Sequence, residues 1–443
     1  MNYSDHKNES LFDPICNEFA LQFDQAAEDH DIEKTKSLLD DAEGILKDHD
    51  EPSFAPLFYS TGTSLTVVRD HLIHSGCTCL HDQVIKLNGE ALWCYRHAED
   101  FLKQIEVNEI SKPYLDGLRL ELYVNIGNAY HFCSREFTAM DYYTKALDIY
   151  PGFGMALGNI GRSLSHYAEL DGDSGHQKVL FKKAYRFFRA ALSDKNPMTY
   201  PEAKEDFATE CKEFESAFGI EMLNQPIEYA DDEMDQSDEE KSYRQWCLEN
   251  HLFLNTLNDL PKPNSACAHD PLQIKSIMTS SGQKEPPFVF EMFNQIKEEY
   301  VYSRYQLYEV WNSNFTVCFA DKETHLNDTM KYSDYSIRLE KLKTAFRTVY
   351  SLLDRIAYLL NAYFDLGINQ GHVSFDKIWE CLGQYEKRNA GLYALHWINR
   401  DFKEKYGKAD SAYTKYIKDL RNALEHKFTA VHSDDIEDVI HKP

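Results

Sequence analysis

The sequence is short of positive charge. Its 47 Lys and Arg stand against 73 Asp and Glu, a formal net charge of −26 at pH 7. That balance excludes general, counterion-driven binding to nucleic acid and leaves only a local site for any such contact. No apolar run approaches the ~20 residues of a membrane span. The opening MNYSDHKNES is polar, without the basic-then-apolar pattern of a signal peptide. Ten cysteines form no Cys-x-x-C pair and no framework spacing, which fits reduced thiols in the cytoplasm rather than a secreted disulfide scaffold. Glycine (19) and proline (14) are too few for a disordered or fibrous chain. Strand-like alternation and β-branched runs are scarce, which leaves an all-α fold. Walker-type and dinucleotide-type glycine loops are missing, and no cofactor is expected.

What the sequence does hold is helical periodicity. Asp31–Asp48 reads as a short amphipathic helix. Tyr123, Ile126, Gly127, Tyr130, Ala139, Tyr143, Ala146 and Pro151 recur at the spacing of a tetratricopeptide unit. In such a unit Gly127 and Ala139 sit where two helices come closest, Tyr143 and Ala146 fill the groove between units, and Pro151 ends the second helix. One 34-residue period on from Gly127 stands Gly161, with Leu157, Ile160 and Leu164 around it and Ala184, Phe188 and Ala191 on the second helix, after a loop that includes ELDGDSGHQK. Phe58, Gly62 and Leu65 with Ala91, Tyr95 and Ala98 form a looser unit upstream. Residues 1–222 are therefore expected to be a tetratricopeptide-like array; a generic helical bundle is the plainer alternative.

Residues 223–287 read as a linker. Ile227–Glu240 carries eight acids and no base, and Leu260–Pro287 is rich in Pro, Ser and Gly. A C-terminal helical domain is expected over 288–443, with helices at Phe288–Asn312, Tyr335–Asp365, Asn389–Lys405 and Ser411–Phe428. Residues 331–430 hold 17 Lys and Arg against 12 Asp and Glu, a local net charge of +5 within an acidic chain. This is where a polyanion would bind, and the acidic run at 231–240 is a candidate to press on that basic region as a polyanion mimic.

The candidate site is Arg421-Asn422-Ala423-Leu424-Glu425-His426. The bare Arg-x4-His spacing is uninformative: 15 Arg and 18 His give about 0.6 chance occurrences, and a second, Arg69 to His74, exists. On a helix Arg421 and His426 lie about 140° apart, whereas Asn422 and His426 lie about 40° apart. Asn422 and His426 therefore share a face that the long Arg421 must reach around to join. Glu425, four residues from Arg421, is placed to hold it by an ion pair; an ordinary ion pair beside an ordinary histidine is the competing interpretation.

Several further stretches bear on the choice: WCLENHLFLNTLNDL (246–260), FNQIKEEYVYSRY (293–305), YSIRLEKLKTAFRTVYSLLDRIAYLLNAYF (335–364), VSFDKIW (373–379), LYALHWINRDF (392–402) and LRNALEHKF (420–428). Together and in this order they resemble the HEPN (higher eukaryotes and prokaryotes nucleotide-binding) helical superfamily, in a branch where that domain follows tetratricopeptide repeats. The family-like region begins near 243. The resemblance implies a metal-independent endoribonuclease whose motif helix lies at a homodimer interface. It makes His426 the general acid/base, Arg421 the group that neutralises phosphoryl charge, and Asn422 an orienting residue. RNA is the implied substrate, with a protein or peptide partner for the array and no membrane. A conditional toxin or anti-phage effector is the implied setting. A non-catalytic adaptor and an RNA or nucleotide binder are the alternatives. Asp354 and Arg355, charged in a mainly apolar helix, are expected either to position the motif helix or to form an ordinary ion pair. Lys427 is either a phosphate contact or a solvated lysine. Only 17 residues follow His426, fewer than members of the branch tend to carry.

His71, His74, Cys77, Cys79 and His81 are dense enough to suggest zinc, but their spacing matches no standard knuckle. Buried thiols and surface histidines account for them better. Gly172-Asp173-Ser174-Gly175 looks like a serine-protease loop but lies in a polar insertion of a helical repeat. Asp171-x-Asp173-x-Gly175 lacks the downstream acid of a calcium loop.

Overall fold

The computed structural model describes residues 11–76, 81–193, 198–229, 236–274, 288–312, 318–322, 333–386, 389–403, 414–427 and 431–432. The chain divides into two compact units. Of the described residues, the first holds those of 11–228 with Asp259–Pro261, and the second those of 229–258, 262–403 and 414–432.

The first unit contains α1 (Pro14–Glu28), α2 (Ile32–Leu46), α3 (Ala55–His74), α4 (His81–Gln104), α5 (Lys112–Phe132), α6 (Glu136–Ile149), α7 (Gly154–Leu170), α8 (Ser174–Ala191), α9 (Pro201–Phe218) and α10 (Ile220–Asn224). Acidic caps start several of them. Asp31 accepts from the Lys34 N–H at the head of α2. Asp173 accepts from the Gly175 and His176 N–H groups at the head of α8. The Asp171-to-Gly175 run is thus a helix start.

Helices α3 and α4, α5 and α6, and α7 and α8 pack as successive pairs, and α4 meets α5, α6 meets α7 and α8 meets α9. This helix packing is repeat-like. Within each pair a glycine on the first helix faces an aromatic ring on the second: Gly62 and Tyr95, Gly127 and Tyr143, Gly161 and Phe188. At Gly161 a β-carbon would lie 2.8 Å from Phe188 Cδ1; at Gly127 it would penetrate the edge of the Tyr143 ring. Tyr143 therefore fills space inside its own pair, against Gly127, rather than only the groove between units. Its hydroxyl donates to Asn128 Oδ1 at 2.9 Å, and the Asn159 amide of α7 donates to the same oxygen at 2.9 Å. Gly127→Ala is expected to cost about 1–3 kcal/mol through overpacking, read as a lower midpoint of the first thermal transition in calorimetry.

The second unit contains α11 (Asp238–Glu249), α12 (Val289–Asn312), α13 (Ile337–Tyr363), α14 (Trp379–Glu386), α15 (Ala390–Lys403) and α16 (Lys415–His426). One short antiparallel pairing joins β1 (Ser333–Asp334) to β2 (Val431–His432), with Ser333 opposite His432. The four expected C-terminal helices are present; α12 ends at Asn312 as expected, and the other ends are shifted inward by one to four residues. Within the stretch read as linker, α11 is folded: Ser237 caps it, and Asp238, Glu239 and Glu240 occupy its first turn, where the helix dipole favours carboxylates. Glu240 is engaged by Arg244 at 2.8 Å. Residues 231–235 and 275–287 lie outside the described residues.

Two centres hold this unit. An apolar core gathers Ala357, Leu360, Phe375, Ile378, Trp379 and Leu382. Separately, Arg304 of α12 is buried and binds Asp270 by two parallel bonds, Nη1 to Oδ1 at 2.8 Å and Nη2 to Oδ2 at 2.7 Å. It also donates to the Tyr243 hydroxyl and the Leu252 carbonyl. The segment after α11 is thereby tied to α12. Among the described residues no helix is long and apolar enough to cross a membrane.

Candidate functional site

Helix α16 carries the Arg421–His426 motif. It starts at Thr414, whose N–H (3.3 Å) and hydroxyl both donate to the Asp401 carbonyl near the end of α15. The helix packs against α13 and α15. Lys418 lies 3.6 Å from Asp376, which also takes Lys403 of α15 at 3.2 Å. Partly exposed pairs of this kind contribute roughly 0–1 kcal/mol, so they orient α16 more than they stabilise it.

Arg421 is half-buried on the side of α16 that faces α13. Its guanidinium carbon sits 5.6 Å from the centre of the Tyr350 ring, and Nη1 donates to Asn422 Oδ1 at 3.1 Å. Burial pushes the Tyr350 hydroxyl above its usual pKa, with Arg421 opposing and Asp354 and Asp376 adding to the rise; the ring stays neutral beneath the cation. Asn422 is half-buried, and His426 and Lys427 are exposed at the end of the helix and its cap. Glu425 is exposed and, among the described residues, forms no ion pair with Arg421. The expectation that Glu425 holds Arg421 is therefore corrected. The guanidinium turns inward to Tyr350 and Asn422, while Glu425 points to solvent.

Asp354 and Arg355 do not pair with each other. Asp354 accepts from the Phe375 N–H at 2.9 Å, and Arg355 lies 3.3 Å from Glu299 of α12. Asp354 acts at one remove: it fixes the backbone beside Asp376, and Asp376 meets Lys418 of α16. Sequence reasoning missed Tyr350, Asp376 and Lys418. Tyr350 had a usable signal, since it precedes Asp354 by one turn and shares its face of α13.

The second Arg-x4-His occurrence behaves differently. Arg69 is buried, donating to Asn88, paired with Asp70 at 2.7 Å and lying 4.6 Å over the Phe132 ring. Those contacts explain it as a core residue. His71 and His74 are exposed, and His74 Nδ1 is 2.7 Å from the Asp70 carbonyl oxygen. Cys77, Cys79 and the His81 side chain lie outside the described residues. The described cysteines are free thiols, most of them buried.

Residues 280–441 match the family model described as LA2681-like HEPN. A HEPN-type domain is present there. The match takes in α12 to α16, and with them every motif residue; the 246–260 stretch lies before it. No curated protein and no solved structure matches the chain. On α16 the HEPN-type domain presents a guanidinium, an amide and an imidazole, a set able to bind a phosphodiester and move a proton.

Proposed function

We propose that the HEPN-type domain is an endoribonuclease that needs no metal and works as a homodimer. The preceding array is tetratricopeptide-like and docks a protein or peptide that restrains or releases the nuclease. A HEPN-type domain supports an RNase or toxin-effector role in general. The observation that carries the specific reading is the presentation of Arg421, Asn422 and His426 on a helix with no fully buried residue. Arg421 is anchored there without being buried away.

In the mechanism His426 takes the proton of a ribose 2′-OH as the oxygen attacks the adjacent phosphorus. The 5′-oxygen leaves and is protonated by the histidine of the second subunit, giving a 2′,3′-cyclic phosphate and a 5′-OH end. Arg421 offsets the negative charge gathering on the phosphoryl oxygens. Asn422, its carbonyl oxygen occupied by Arg421, keeps its NH₂ to donate to phosphate. The attacking hydroxyl belongs to the substrate, so no metal-bound water is required. The setting proposed is cytoplasmic, as a conditional toxin or anti-phage effector.

Tyr416 and Leu420 support the dimer. They are 65 % and 43 % exposed, four residues apart, and with Ala423 they form an apolar stripe beside the Asn422–His426 face. A second copy covering this stripe brings two motifs together. Leu420→Glu is expected to weaken association by about 2 kcal/mol or more, roughly 30-fold in Kd, measured by light scattering across a dilution series. Unchanged association would place the interface elsewhere. The activity itself is tested by incubating wild type and His426→Ala with total cellular RNA in EDTA and mapping the ends. Equal cutting by both proteins would overturn the assignment.

A further inference from the structure

The first unit holds a cluster that the nuclease reading does not use. His131 stands at the end of α5, Glu136 opens α6, and His166 lies on α7. The Glu136 side chain is only 1 % exposed, yet it is shared by two imidazoles: His131 Nδ1 is 2.8 Å from Oε2, and His166 Nδ1 is 2.5 Å from Oε1. The two rings meet edge to face, 5.8 Å between centroids. The buried Ser163 hydroxyl lies 3.5 Å from His131 Nδ1. One nitrogen from each histidine and a carboxylate oxygen all fall within 4.8 Å of one another. The turn that delivers Glu136 beneath His131 includes Ser134 at φ 56°, a left-handed conformation that a non-glycine residue adopts at a cost of roughly 1–2 kcal/mol. Glu169 adds further negative potential at His166. Both histidine side chains remain about one-third exposed, which leaves an approach from solvent.

We propose that His131, Glu136 and His166 bind a divalent transition-metal ion, zinc foremost, through two imidazole nitrogens and one carboxylate oxygen. Water or Ser163 takes the fourth position. Two histidines and a glutamate are a donor set that zinc accepts, and imidazole suits zinc over magnesium or calcium. Tetrahedral bonds of about 2.0–2.1 Å put donor atoms roughly 3.3 Å apart. The N···O pair to whichever Glu136 oxygen coordinates therefore opens slightly on binding, a movement open to histidines that are part exposed. The ion ties α7 to the α5–α6 pair and so staples one helix pair of the array to the next.

The test uses the full chain without a histidine tag, stripped with EDTA, dialysed and equilibrated with zinc chloride, with bound metal counted by mass spectrometry. Wild type is expected to retain one equivalent of zinc and to melt higher with zinc than without it. Cys77→Ser/Cys79→Ser should behave like wild type. His131→Ala/His166→Ala should lose the equivalent and the zinc-dependent rise while keeping its helical circular dichroism. Cobalt-loaded wild type, which requires no variant, should show the intense visible absorption of tetrahedral Co²⁺. The proposal is overturned if wild type retains no more zinc than the histidine variant, if the equivalent disappears in the cysteine variant instead, or if the cobalt spectrum is that of the hydrated ion.

Discussion

His426→Ala is expected to lower RNA cleavage by about 10²–10⁴-fold, the usual worth of a positioned general acid/base. Its melting temperature should hardly change, because His426 is exposed at the last turn of α16 and surface substitutions of this kind usually stay within about 0.5 kcal/mol. Arg421→Ala should lose as much activity. It also removes the contact with Tyr350, so a small loss of stability should accompany it. Arg421→Lys separates the two roles, since lysine keeps the charge but not the fork that grips two phosphoryl oxygens; it should fold normally and still cut poorly. The double variant should be little worse than either single one, because groups that act as a unit in one step are not additive. Single-turnover assays on one labelled RNA, with thermal melts of each variant, decide all of these points.

The second large effect concerns folding. Asp270→Asn is expected to destabilise the HEPN-containing unit by about 3–5 kcal/mol, since it leaves the Arg304 cation buried without its partner. Arg304→Met, which removes the charge and keeps much of the volume, should leave Asp270 to solvate itself and cost less. Burial raises the Asp270 pKa, but the hydrogen bonds and charge of Arg304, the Leu254 N–H and Lys297 together hold it below the usual carboxylate range. A carboxyl depressed in the folded state contributes stability above its unfolded pKa and loses it as pH falls through the folded value. The gap in melting temperature between wild type and Asp270→Asn should therefore be full at neutral pH and narrow below about pH 4. A gap that is constant down to the acid limit would mean that packing, and not charge, makes the contact.

The sequence disclosed these features unevenly. The close helix approach at Gly127 and Gly161 was readable because it permits no β-carbon, but the seating of Tyr143 against Gly127 inside its own pair was not, since the period places a residue on a face without naming what it meets. Helix α2 was legible from its period, with ends one residue late and two residues early against Asp31–Asp48. Helix α11 was obscured because an acidic run reads as solvated chain, although three of its acids sit where a helix dipole welcomes them. The motif was found through its surroundings, since spacing alone also returned Arg69 and His74, a core arginine and a surface histidine. The partners that seat it, Tyr350 and the path from Asp354 through Asp376 to Lys418, join residues up to 71 positions apart. No periodicity in one chain exposes such contacts. The His131–Glu136–His166 cluster was hidden for the same reason, with its members on three helices.

The central chemical claim is that the substrate supplies its own nucleophile, and a paired-substrate assay reaches it directly. An RNA cut at one mapped position is compared with the same RNA bearing a single 2′-deoxy nucleotide on the 5′ side of that bond. The mechanism predicts a 2′,3′-cyclic phosphate and a 5′-OH from the first, and an intact bond at that position in the second. Cleavage of the deoxy-substituted bond, or products ending in 5′-phosphate, would contradict it.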